Sequence, residues 1–268
     1  MLKKVLAFVG GLSLWVTAAG QTAFTQIYYG DGFGPPNIIE DPVGPISVRG
    51  NDVHVRFGSL ETSVKTVEGS LYLAAIAHDW LTIDGGALNG QQGFARIAID
   101  YGWNFGASGA GAEQSALLHL DFGATSPEIR EIRNRSCDEQ SCVSTIQGPT
   151  LAIGPSEQPV AQGRLVLDLP IEFGSQQYLG MVLQGTTMSE AQDGTASSSF
   201  VAGMHFYWDG IVQVTDAAGQ IVPYTLLSAS GTNYATSLAP TAVPEPASLV
   251  LMGLGLGVLL LGKRRLSE

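Results

Sequence analysis

Four histidines, two cysteines and 24 carboxylates are the residues of this chain that could do chemistry, and their spacing limits what that chemistry is. Zinc hydrolysis uses histidines placed as His-x-x-x-His or His-x-His, and neither pattern occurs. The Gly-x-Ser-x-Gly turn that presents a nucleophilic serine is also absent. His54, His119 and His205 alternate with apolar neighbours, which predicts strand residues facing solvent. His78 and Asp79 are adjacent in the chain. On a strand they would point to opposite faces, so no acid–base dyad is expected of them. A glycosidase needs two carboxylates about 5–10 Å apart. Asp100, Asp121, Asp168 and Glu172 fall on the polar faces of alternating segments, where a carboxylate solubilises.

Other candidates read in the same plain way. Asp31-Gly32-Phe33-Gly34, Asp84-Gly85-Gly86 and Asp209-Gly210 could offer calcium oxygens, but none has the regular spacing of a calcium loop, and turn chemistry accounts for them. No metal site and no cofactor is expected. Cys137 and Cys142, in "RSCDEQSC", are expected to form a local disulfide in an oxidising compartment. A loop that short contributes roughly 2 kcal/mol by the chain-entropy estimate. Among the aromatics, Trp103 and Trp208 lie on apolar faces and are expected in the core. Tyr28, Tyr29 and Trp80 could stack on sugar rings.

The elements that must position these residues are strands. In "RIAIDYGWNF", Ile97, Ile99, Tyr101, Trp103 and Phe105 share one face. In "RLVLDLPIEF", Leu165, Leu167, Leu169, Ile171 and Phe173 oppose Val166, Asp168, Pro170 and Glu172. Phe200, Ala202, Met204, Phe206 and Trp208 line up likewise, with shorter copies at Val53-Val55-Phe57 and Leu118-Leu120-Phe122. Such alternation buries one face of a strand and wets the other. With Gly/Asp/Ser/Pro loops between segments and almost no helical period, the expected fold is all-β: an antiparallel two-sheet β-sandwich of jelly-roll type. Pro170 marks an edge strand or a bulge. Ser126-Pro127-Glu128 reads as the cap and first turn of one short helix. Asp216-Ala217-Ala218-Gly219 reads as the turn of a hairpin joining Ile211–Val214 to Ile221–Leu226.

The two ends of the chain are of a different kind. "MLKKVLAFVGGLSLWVTAAG" has a basic start, an apolar stretch and small residues at Thr17 to Gly20, the order of a secretory signal peptide over residues 1–20. At the other end, Pro244-Glu245-Pro246 precedes sixteen uncharged residues, Ala247 to Gly262, and then Lys263-Arg264-Arg265. That run would span roughly 24 Å as a helix, against a hydrocarbon core of about 30 Å. Four glycines (Gly253, Gly255, Gly257, Gly262) weaken it further. It is short for a permanent anchor. Basic clusters stay cytoplasmic, so both ends sit inside and the residues between them are exported. One domain, residues 25–239, is expected between the signals. Setting aside Lys3, Lys4, Lys263, Arg264, Arg265, Glu245 and Glu268 leaves eight basic and 22 acidic residues, a formal charge of −14 for the exported part. That field repels phosphate backbones, which excludes nucleic acid as a partner.

Residues 243–268, with Pro244, Glu245, Pro246, a Gly/Leu-rich hydrophobic helix and Lys263, Arg264 and Arg265, resemble the PEP-CTERM sorting signal. The resemblance implies recognition by an exosortase, a membrane-embedded cysteine protease. The precursor would cross the inner membrane only transiently, and the product would reach the cell envelope or the outside. Such proteins usually come from bacteria that make exopolysaccharide. "WDGIVQVTDAAGQIVPYTLLSASGTNY" resembles the closing segment of many such proteins and implies no activity. The expectation is a non-enzymatic surface or matrix protein with a structural or adhesive role. The alternatives are a module binding the cell's own exopolysaccharide, favoured by exposed aromatics in a groove, and a secreted hydrolase, favoured by two close carboxylates in a cleft.

Overall fold

The computed structural model describes residues 22–30, 35–42, 44–66, 69–108, 112–137, 142–153, 156–189 and 199–239. Fifteen strands follow in chain order: β1 (Phe24–Gly30), β2 (Asn37–Glu40), β3 (Ile46–Val48), β4 (Asn51–Arg56), β5 (Ser59–Thr66), β6 (Gly69–Asp84), β7 (Gln92–Ser108), β8 (Ala112–Phe122), β9 (Glu128–Cys137), β10 (Cys142–Ile153), β11 (Ser156–Pro159), β12 (Gly163–Glu172), β13 (Gln176–Ser189), β14 (Ser199–Asp216) and β15 (Thr225–Ser228). A single 3-10 turn, Gly86–Leu88, separates β6 from β7.

The strands form two antiparallel sheets. The larger runs β11-β10-β9-β8-β13-β6-β1-β2, with β15 also paired to β6, and the smaller runs β12-β7-β14-β5-β4-β3. The pairings nest. β5 pairs with β14, β6 with β13, β7 with β12 and β8 with β9. This is one long antiparallel hairpin rolled onto itself, and the pairs β7–β14 and β8–β13 seal the roll. That connectivity is a jelly roll, the architecture that alternation and loop composition predict.

Period-two alternation also places the core correctly. Ile97, Ile99, Tyr101 and Trp103 of β7, Leu167, Leu169 and Ile171 of β12, and Met204, Phe206 and Trp208 of β14 all face inward and are buried. Val53, Val55, Leu118, Leu120 and Phe122 join them. β12 is the edge of its sheet, and Pro170 sits on it with Val166, Asp168 and Glu172 on the exposed face, as its missing N–H requires.

Two local expectations are corrected. No helix begins at Ser126. Its hydroxyl donates to Asp121 Oδ1 at 2.6 Å, and Glu128 starts β9, which takes its ladder bonds from β8. The turn at Asp216–Gly219 forms, with Asp216 Oδ1 accepting from Ala218 N at 2.9 Å and Gln220 N at 2.8 Å. Its second leg, however, makes one bridge, Thr215 to Ile221, and then leaves. β15 crosses to the other sheet and pairs with the end of β6.

Candidate functional site

β6 is apolar on both faces, and this builds the site. Leu71, Leu73, Ala75, Ala77, Leu81 and Ile83 fill the core. Their alternates Tyr72, Ala74, Ile76, His78 and Trp80 lie on the outer face of the larger sheet. Register then brings aromatic partners from strands distant in sequence. Phe24 of β1 pairs with His78, and Tyr178 of β13 pairs with Trp80. Ring centroids lie 4.5 Å apart for Phe24–His78, 5.3 Å for His78–Tyr178 and 5.1 Å for Trp80–Tyr178, the last two edge-on. Four rings therefore form a continuous strip across three strands.

Tyr28 lies farther along the same face, opposite Ala74. Six residues of β6 separate that point from Trp80, about 20 Å at 3.4 Å per residue. Tyr29 points the other way. It packs on the rim of the core, with the Arg49 guanidinium 6.0 Å from its ring centroid. The three aromatics singled out as sugar contacts thus do not form one platform. Trp80 is in the strip, Tyr28 extends its line, and Tyr29 belongs to the core side.

A polar rim borders the strip on β8 and β9. His119 Nε2 lies 3.0 Å from Asp121 Oδ1, and His119 Nδ1 lies 3.9 Å from Glu128 Oε2. Asp121 reaches the strip because residue 180 is glycine. A Cβ there would sit 3.1 Å from Asp121 Oδ2 and 3.1 Å from Tyr178 Cε1. Burial works against charge on His119, but Asp121 and Glu128 outweigh it and raise its pKa. Asp121 is likewise desolvated, yet His119 and the Ser126 hydroxyl hold its carboxyl below the usual range. His78 behaves oppositely. Burial pushes its pKa down to about 4, against a smaller pull from Asp121, so the ring is neutral at pH 7. Tyr178 Oη and His78 Nδ1 share a hydrogen bond at 2.5 Å.

The remaining candidates separate by location. Asp79, the chain neighbour of His78, points inward as alternation requires and is 1% exposed. Glu131 is equally buried and accepts from Trp103 Nε1 at 2.6 Å. Register places Glu131 opposite Ala116, which is one row of pairs across from Leu73. Six residues of β6, about 20 Å, therefore separate it from Asp79 along the sheet. Asp168 is exposed and paired with Arg96 at 2.8 Å. Asp84 makes turn bonds to Gly86 N at 2.7 Å and Asn89 Nδ2 at 2.9 Å, which is the turn chemistry its sequence predicts. Asp31–Gly34 lie outside the described residues. Among the described residues, no group of three or more His, Cys, Asp or Glu is placed to hold a metal.

Cys137 and Cys142 are direct cross-strand Cα partners at the end of the β9–β10 hairpin. Such partners have Cα atoms about 4.5–5.5 Å apart, within the span of a disulfide.

The end of the chain supplies the decisive comparison. Residues 242–265 match the PEP-CTERM protein-sorting motif. The motif contains Pro244, Glu245, Pro246, Lys263, Arg264 and Arg265, and it marks an exported protein sorted by an exosortase. No curated protein matches the chain. The PEP-CTERM segment, the expected signal peptide at 1–20 and the expected sorting helix lie outside the described residues. Among the described residues, no helix is long and apolar enough to cross a membrane.

Sequence reasoning missed Phe24, Tyr178 and the His119–Asp121–Glu128 rim. Period-two reading of "LYLAAIAHDW" does put His78 with Trp80. Nothing local says that Tyr178, one hundred residues on, will bond to it.

Proposed function

We propose that this exported protein is a non-catalytic adhesive component of the cell surface or extracellular matrix, and that its jelly roll grips polysaccharide on the outer face of the larger sheet. The observation that carries this reading is the Phe24–His78–Tyr178–Trp80 strip bordered by Asp121, His119 and Glu128. A pyranose ring presents apolar C–H faces and a rim of hydroxyls. Aromatic rings match the first, and a carboxylate–imidazole pair can donate to and accept from the second. The neutral His78 lets the strip stay apolar at its centre. An overall acidic surface suits a neutral or cationic glycan better than a polyanionic one.

The test is retention of the exported protein on the cell's own purified exopolysaccharide. Trp80→Ala should weaken retention about two- to tenfold, since one aromatic contact is worth about 0.5–1.5 kcal/mol. Retention unchanged by Trp80→Ala and by Tyr178→Ala would refute the assignment of this face. Release of reducing ends from the same polymer would promote the hydrolase reading instead. Deletion of the protein should alter aggregation or biofilm cohesion and leave growth on soluble nutrients unchanged.

A further inference from the structure

The ten residues from Ala229 to Leu238, between the last strand and the sorting motif, are fastened at both ends of their course. At the larger sheet, Asp79 is the fastening point. Its Oδ1 accepts from Trp80 N at 2.7 Å and Ser230 N at 3.1 Å, and its Oδ2 accepts from Ser230 Oγ. Tyr234, also buried, donates its hydroxyl to the same carboxylate. At the smaller sheet, Trp208 Nε1 donates to Tyr234 O at 2.7 Å, and Leu238 N donates to Trp208 O at 2.8 Å. Leu238 then packs over Gly58, where an added Cβ would lie 2.1 Å from its Cδ1. The segment is a strap that bridges both sheets and stays fastened up to four residues before the sorting motif begins.

Chain reach gives this a consequence. Six residues lead from Leu238 to Pro244, about 20 Å at full extension. A body of this length has a radius of gyration of about 17 Å. The strap end of the sandwich must therefore lie against whatever holds Pro244. We infer that the surface around Gly58, Asp209 and Leu238 is the face that meets the membrane-embedded sorting protease, and that the strap's fastenings on Asp79 and on Trp208 together control how readily the tail is handed to it. The latched body is held within about 20 Å of the membrane face, where its bulk crowds access to Pro244. Unlatched from Ser228, the free chain to Pro244 reaches about 54 Å, enough to hold the body clear of that surface. The latch is thus a brake on processing. The inference rests on the sorting motif and is independent of what the aromatic strip binds.

The test is pulse-chase processing of the full chain in cells with a working exosortase. Inserting about twelve Gly/Ser residues after Ala239 leaves the latch intact and adds reach, and it should shorten the processing half-time about threefold or more. Asp79→Ala combined with Leu238→Ala, which loosens both fastenings, should do the same without the insertion. An insertion variant processed at the natural rate or more slowly would overturn the inference. So would an Asp79→Ala/Leu238→Ala variant that is folded by limited proteolysis yet processed at the natural rate. Failure of the natural chain to be processed at all would overturn it together with the sorting premise, whereas loss of polysaccharide retention would leave it standing.

Discussion

Replacing Asp79 with alanine perturbs a heavily bonded buried carboxylate. It is 1% exposed and accepts from Trp80 N, Ser230 N, Ser230 Oγ and the Tyr234 hydroxyl. Alanine removes all four acceptor contacts and strands at least two buried donors, each costing about 1–3 kcal/mol once water cannot reach it. The carboxylate's own desolvation cost is refunded, which offsets part of the loss. The expected net destabilisation is about 4 kcal/mol, and for a chain of this size that lowers Tm by about 8–16 °C. Asp79→Asn separates charge from geometry. Its carbonyl oxygen still accepts from the two backbone N–H groups, and its amide can donate to the Ser230 and Tyr234 hydroxyls, which reverse their bonds. The cost should be about 1–2 kcal/mol. Urea unfolding of the purified exported protein, followed by tryptophan fluorescence, measures both. Trp208 bonds to Tyr234 and reports directly on strap release. Equal losses for the two variants, or a loss below about 1 kcal/mol for alanine, would show that the carboxylate is not the fastening point.

Three further outcomes are expected. His78 has a folded pKa near 4 against 6.5 when free, so the unfolded chain binds the extra proton first. Stability should fall as pH drops from about 6.5 toward 4, by about 3 kcal/mol in total, with His119 opposing it because its raised pKa favours the fold at low pH. The urea midpoint of His78→Phe should lose much of that acid dependence, and a slope matching the natural protein would contradict the neutral-His78 account. Cys137 and Cys142, cross-strand partners, should both resist alkylation in the native exported protein, and labelling of both by mass analysis would exclude the disulfide. Mature protein should begin near Gly20 or Gln21 and lack Leu249 to Glu268, so terminal peptides from either segment in surface-located protein would contradict processing.

Much of the molecule was legible in the residues themselves, because the information was local. Alternation every two residues told the inner from the outer face of β7, β12 and β14 before any partner strand was known. Pro170 announced an edge, since a residue without an N–H cannot serve the middle of a ladder. The sorting motif was readable because it is a linear address, recognised in order along the chain. Where local rules misled, a distant partner had taken over. Ser126 had the makings of a helix cap, but its hydroxyl went to Asp121 and the next residues went to β8. The second leg of the Asp216 turn had the composition of a hairpin strand, yet it found a free stretch of β6 in the opposite sheet.

Only the tertiary structure decided which side chains meet. β6 is apolar on both faces, so its sequence does not say which alternates form the core and which form the half-buried strip on the outer face. Packing against the smaller sheet settles that, and pairing with β1 and β13 then sets Phe24 and Tyr178 beside His78 and Trp80. Tyr28 and Tyr29 looked equivalent as neighbours, but the pleat sends one outward and the other to the core rim. Alternation turns Asp79 away from its chain neighbour His78. Its partners are instead Ser230 and Tyr234, about 150 residues away, and the closure of a sandwich over a buried charge is what makes it a latch.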